Sequence, residues 1–94
     1  MNNPWTPSEG WLLEWACGLA RTTVEEVRGR DRKAGPAARR MMVCALLRRR
    51  RLSFPVIGRL VNRDHSTVIH AERIVDSRPE LRARVDELAG TVPR

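Results

Sequence analysis

Apolar residues return along this chain at intervals of three and four and nowhere at sustained intervals of two, so the pattern predicts helices throughout. Thr6-Pro7-Ser8-Glu9 has the form of a capping box with proline at the first helical position. Behind it Trp11, Leu12, Trp15, Ala16 and Leu19 keep helical spacing, which predicts a first helix over about residues 7–20. Thr22-Thr23-Val24-Glu25 opens a short second helix by the same device, ending near Arg28-Gly29. After a basic, glycine-bearing loop, Pro36 opens a third helix to about Arg50, with Met41, Met42, Cys44, Ala45, Leu46 and Leu47 on its buried side. Ser53 caps a fourth helix and Asp64 a fifth, whose Val68, Ala71 and Val75 face inward. Ser77-Arg78-Pro79-Glu80 reads as one more capping box, before Leu81, Val85 and Leu88, with Gly90 as the stop. The expected fold is all-α, a compact bundle of about six helices in one domain over residues 1–94. Residues 1–6 are expected to lead flexibly into it and 91–94 to trail from it.

The fourth and fifth helices are joined so tightly that they form a helix-turn-helix, and the fifth opens with polar side chains. In such a unit Arg63 is placed to grip a phosphate. Asp64 can accept from a cytosine amino group, His65 and Ser66 can reach acceptors on neighbouring bases, and Thr67 offers a hydroxyl and a methyl that suit thymine. Local chemistry leaves a plainer reading open, in which Asp64 is an N-cap and Ser66 and Thr67 fill a first turn. His70 is expected to satisfy a hydrogen bond of the core, and Trp11 and Trp15, four apart on one face, to pack there. Arg48, Arg49, Arg50 and Arg51 close the third helix, where cations suit the negative end of the dipole and equally a DNA backbone.

Charge narrows the partner. Eighteen Lys and Arg against eleven Asp and Glu give +7, which points to a polyanion. Every cation but Lys33 is arginine, a preference that suits phosphate forks and guanine edges but also follows from a G+C-rich genome. No apolar run spans a bilayer and the start lacks the features of a signal peptide, so no membrane is expected as partner. Cys17 and Cys44 stand apart and outside any C-x-x-C spacing, as two buried, reduced thiols of a cytoplasmic, nucleoid-associated protein. With two His, two Cys and no P-loop motif, no metal, no nucleotide, no other cofactor and no enzymatic activity are expected.

Arg63-Asp64-His65-Ser66-Thr67-Val68-Ile69-His70-Ala71 resembles the signature of the C-terminal DNA-binding domain of the bacterial replication initiator DnaA, close to G-G-R-D-H-[ST]-T-V-[LI]-H-A. Ser53, Pro55, Ile57 and Gly58 match the upstream Ser-x-Pro-x-Ile-Gly, and the likeness extends over about residues 11–88. The resemblance implies a Trp-repressor-like helix-turn-helix bound to double-stranded DNA. Its base contacts fall on Asp64, His65, Ser66 and Thr67, and a loop arginine, Arg30 or Arg32 with Asp31 between them, enters the adjacent minor groove. Phosphate contacts are expected from Arg63, Lys33, Ser53 and the run Arg48, Arg49, Arg50 and Arg51. The implied target is an asymmetric, partly A·T-rich box like TTATCCACA.

Two departures stand out. Leu60-Val61-Asn62-Arg63 replaces the family's aromatic residue and glycine pair, so the turn is one residue shorter and Asn62 takes the left-handed conformation. Arg49 falls near a position that is often apolar. Lacking the ATPase of full-length initiators, such a chain is expected to act by occupancy, as a transcriptional regulator or replication-associated factor, with a phage or prophage origin in keeping. The alternative is a protein-interaction module that modulates the host replication machinery through a DnaA-like fold. A homodimer or protein partner is left open. An RNA role lacks stacking aromatics, since Phe54 is the only aromatic besides tryptophan.

Overall fold

A computed structural model describes residues 5–30 and 34–91. Arg32 and Lys33, two of the expected DNA contacts, lie outside the described residues, as does Asp31. Among the described residues there are six helices and no strand: α1 (Pro7–Leu19), α2 (Val24–Arg28), α3 (Ala34–Arg49), α4 (Phe54–Val61), α5 (His65–Ser77) and α6 (Pro79–Ala89). None of these helices is long and apolar enough to cross a membrane.

Local chemistry sets most helix starts. Thr6 and Glu9 form a reciprocal capping box: Glu9 N–H donates to Thr6 Oγ1 at 3.2 Å and Thr6 N–H to Glu9 Oε1 at 2.9 Å. Thr23 rather than Thr22 caps α2, accepting from Glu26 N at 3.1 Å. α3 begins at Ala34, two residues before Pro36, because first-turn N–H groups have no helical partner and the proline ring removes nothing there. The expected box at Ser77-Arg78-Pro79-Glu80 does not form. α5 runs on through Ser77, whose hydroxyl donates back to Ile74 O at 2.8 Å. The break falls at Arg78 (φ −118°, ψ 105°), since the residue before proline is driven out of the helical region.

α3 is the axis of the bundle and touches each of the other five helices. Val43, Cys44, Ala45, Leu46 and Leu47 are buried in succession, the mark of a helix apolar all round. Around it close Leu13, Ala16 and Cys17 of α1, Val27 of α2, Ile57, Leu60 and Val61 of α4, Val68, Ala71 and Val75 of α5, and Val85 of α6. Met41 and Met42 reach only half-burial. Burial pushes the thiols of Cys17 and Cys44 up to about 11 and about 12, so both stay protonated and pack as small apolar groups. Trp15 packs against the core, but Trp11 stays 42% exposed, contrary to the expectation that both fill the interior. Trp5 and Thr6 belong to the folded body, which corrects the flexible lead drawn through residue 6. The Trp5 ring lies where a Cβ on Gly10 would approach to 2.8 Å, and the Arg28 guanidinium covers its face at 5.0 Å.

The structure revises the reading of the arginine run, because three of the four side chains turn back onto the fold. Arg48 donates to Leu52 O at 2.9 Å and lies 4.2 Å over the Phe54 ring. Arg50 donates to Ala89 O at 3.1 Å and stacks 4.6 Å from the Trp15 centroid. Arg49 sits among the carboxylates of Glu72 (2.9 Å), Asp86 (2.9 Å) and Asp76 (3.8 Å), joining α3 to α5 and α6. Burial works against its charge, but the hydrogen bonds to Asp86 and Glu72 outweigh it and raise the guanidinium above its ordinary value. Arg51 alone of the four is exposed. Arg49→Ala should therefore cost about 1–3 kcal/mol, because it strands Glu72, whose side chain is only 12% exposed. Arg51→Ala should stay within about 0.5 kcal/mol, both read from urea unfolding midpoints.

Candidate nucleic-acid interface

The interface begins where α4 ends. Asn62 adopts φ 58°, ψ 46°, the left-handed geometry predicted for it, and reverses the chain. Arg63 N–H then donates to Gly58 O at 2.8 Å and Asn62 N–H to Arg59 O at 3.4 Å, a Schellman-type closure. Side chains take the remaining carbonyls: Arg28 Nη1 donates to Leu60 O at 2.6 Å and shares Arg59 O at 2.7 Å, while Arg63 Nη1 reaches Val61 O at 3.4 Å. All four terminal carbonyls of α4 are thus satisfied without water. Gly58 lets the next segment close on α4, since a Cβ there would meet Arg63 O at 2.7 Å and His65 N at 3.3 Å. That contact gives the matched Ile57-Gly58 pair its physical reason.

α5 opens at this turn with its polar face outward. His65, Ser66 and Thr67 are exposed, while Val68, Ala71 and Val75 are buried. Asp64 takes the N-cap role that its sequence position offered. It is the N-cap, with Oδ2 accepting from Ser66 N–H at 3.0 Å and from the Ser66 hydroxyl, yet it remains exposed. Oδ1 lies 3.8 Å from His65 Nδ1. The Ser66 hydroxyl and N–H, with the His65 charge a lesser cause, hold the Asp64 carboxyl below its usual range, so it is an acceptor only. The Ser66 hydroxyl hydrogen is spent on Asp64, which leaves its lone pairs, the Thr67 hydroxyl and the His65 ring for an outside partner. His70 is exposed, which corrects its assignment to the core. It lies four residues beyond Ser66 and three before the exposed Arg73, extending the same strip.

The cations around this strip divide. Arg63 is half-buried, and its guanidinium turns inward to Asn62 O at 2.9 Å and to Gly29 O, where the sequence placed a phosphate grip. Burial, then the charges of Arg40 and Arg30, lower its pKa. Arg40 donates to Val27 O at 2.9 Å and to Gly29 O at 3.4 Å, while Asn62 Nδ2 donates to Arg28 O at 3.2 Å. The end of α2 and Gly29 are therefore fastened to the helix-turn-helix turn, with Arg30 exposed immediately beyond the fastening. Ser53 is exposed at the start of α4, its Oγ accepting from Val56 N at 3.3 Å, so its hydroxyl hydrogen is available to an acceptor outside. The linking roles of Arg28, Arg40 and Gly58 were missed by sequence reasoning, since their partners lie far along the chain or on its backbone. His70 and Arg73 carried a signal in their helical spacing from Ser66.

Residues 13–75 match the family model of the bacterial dnaA protein helix-turn-helix. The match runs from within α1 into the last turn of α5, short of α6 and of the wider likeness read over about residues 11–88. A comparison with curated proteins finds no match.

Two measurements probe this geometry. In Gly58→Ala, the clash with the Arg63 carbonyl should outweigh alanine's helix propensity of about 1 kcal/mol, for a net loss of about 1–2 kcal/mol and a lower Tm. The capping advantage of Asp64 over Asp64→Ala should be fully present above pH 3.8, the ordinary carboxyl value, because the folded group binds its proton less tightly than the unfolded one. It should disappear as pH falls through the lower folded value, so the two unfolding midpoints converge in acid.

Proposed function

The chain belongs to the bacterial DnaA helix-turn-helix family, and from that premise we propose that it binds duplex DNA sequence-specifically and acts by occupying its site. Binding to double-stranded DNA follows from the family. The finer reading rests on one observation, the outward first turn of α5 backed by a buried seam of Val68, Ala71 and Val75. Such a helix can enter a major groove with Thr67 and His65 toward base edges and the Asp64 carboxylate toward a cytosine amino group. Ser66 contributes acceptor lone pairs. Arg30 enters the neighbouring minor groove, whose narrow form in A·T-rich sequence attracts arginine. Ser53 offers its hydroxyl to a phosphate. Arg63 serves as a positioning residue, its guanidinium being committed to carbonyls.

The target in this reading is the asymmetric, partly A·T-rich box that the family resemblance implies, and the protein is a regulator of transcription or a replication-associated factor at the nucleoid. A second reading, docking on a protein of the replication machinery, rests on Trp11, exposed beside Pro7, Ser8 and Leu12.

Selection from a random duplex pool should recover a single or paired box with an A·T-rich end. On that box, His65→Ala and Thr67→Ala should each lose about 1–3 kcal/mol of discrimination, roughly 5- to 150-fold against random duplex at fixed salt. Equal losses on both duplexes would remove base reading from this face. A cellular effect that survives the double substitution would favour the second reading.

A further inference from the structure

The geometry points to Arg28 and Asn62 as a two-way staple that fixes how far the minor-groove arginine stands from the recognition helix, and so sets the spacing this protein demands between its two DNA contacts. The inference deepens the reading above and rests on Arg30 entering a minor groove while α5 reads the major one.

The staple runs in both directions between segments more than thirty residues apart. Outward from the loop, the Arg28 guanidinium caps the last turn of α4 at Arg59 O and Leu60 O, with its plane held against the Trp5 ring. Back toward the loop, the Asn62 amide donates to the Arg28 carbonyl and the Arg63 guanidinium to the Gly29 carbonyl. Arg40 of α3 holds the same stretch from a third side, at Val27 O and Gly29 O. The carbonyls of residues 27–29 are therefore all engaged just before Arg30. Consecutive Cα atoms are only about 3.8 Å apart, so the Arg30 backbone has almost no slack relative to the turn that launches α5.

Charge makes the fastening consequential. Arg40 and Arg63 both donate to the Gly29 carbonyl, so like charges meet on the stretch just before Arg30. Carbonyl dipoles hold them in place. Asn62 is the informative position, because glycine reproduces its left-handed backbone but supplies no amide donor. Asn62→Gly thus keeps the turn while cutting one strand of the staple.

The test uses the tightest duplex recovered from the random pool, alongside the same duplex with one base pair inserted between its A·T-rich end and the rest of the box. The insertion moves the two contacts apart by about 3.4 Å and rotates them by roughly 35°. The wild-type chain should lose on the order of 10-fold or more in affinity, the worth of one good contact. Asn62→Gly, with far-ultraviolet circular dichroism unchanged, should bind the original duplex several-fold more weakly and lose less than about 3-fold on insertion. A general loss of structure would weaken both duplexes alike and leave the insertion penalty intact. Arg30→Ala separates the two layers of the argument. If it leaves the preference for the A·T-rich end unchanged, the minor-groove reading fails and the staple's role with it. If it abolishes that preference while Asn62→Gly keeps the full insertion penalty, the spacing role alone is overturned. A pool that yields no enriched sequence overturns both.

Discussion

The end of α4 is the constraint on which the recognition geometry depends. Four carbonyls must find donors within a three-residue connection, Asn62 to Asp64, that also delivers α5 at a usable angle. The left-handed Asn62 closes two of them with backbone N–H groups, and Arg28 and Arg63 close the others. Gly58 then allows the turn to fold against α4 at a distance no side chain would permit. With the connection seated, Asp64 falls where its carboxylate caps α5, and the polar residues that follow have one face open to solvent because the other is occupied by Val68 and Ala71.

Arginine is used here for two separate purposes. A net charge of +7 produces an attractive field for a polyanion wherever the individual side chains point. Specific contacts are another matter, and Arg28, Arg40, Arg48, Arg49, Arg50 and Arg63 are engaged with carbonyls, aromatic rings or carboxylates of the chain itself. The planar fork that suits guanine or phosphate suits paired backbone carbonyls equally well. A small domain with few aromatics gains inter-helix links from it, while the charge still acts at a distance. An arginine run therefore says more about the sign of the partner than about which residue touches it.

What could be read in advance was short-range. Thr6, Ser53 and Asp64 cap helices because their hydroxyl or carboxylate meets an N–H two or three residues on, a relation visible in any sequence window. Asn62 in a left-handed turn was legible for the same reason. Ser77 failed because a competing local rule, the extended preference before Pro79, moved the break past it. Trp11 and His70 failed because residue type favoured burial while their rotational position on the helix faced water. Arg28 and Arg63 had no sequence signal at all: their carbonyl partners are fixed only when α2 and α4 pack side by side. The outward face of α5 was thus foreseeable, and the frame that aims it was not.

The Asn62 turn bears on specificity through stiffness. A glycine pair gives a turn many backbone states, whereas a single asparagine in the left-handed region loses fewer on folding and adds an amide donor. Here that donor reaches the Arg28 carbonyl, so the turn is also tied to the end of α2. Both changes reduce the freedom of α5 relative to Arg30. A reader built this way reorganises less on binding, which favours affinity for a site of matching spacing. On the proposed reading the same stiffness penalises sites whose two grooves are offset by one base step, because moving either element breaks a carbonyl contact. On the proposed reading, selectivity for spacing and selectivity for base identity come from different atoms, the first from the Arg28 and Asn62 contacts between α2 and the turn, the second from His65 and Thr67 on α5.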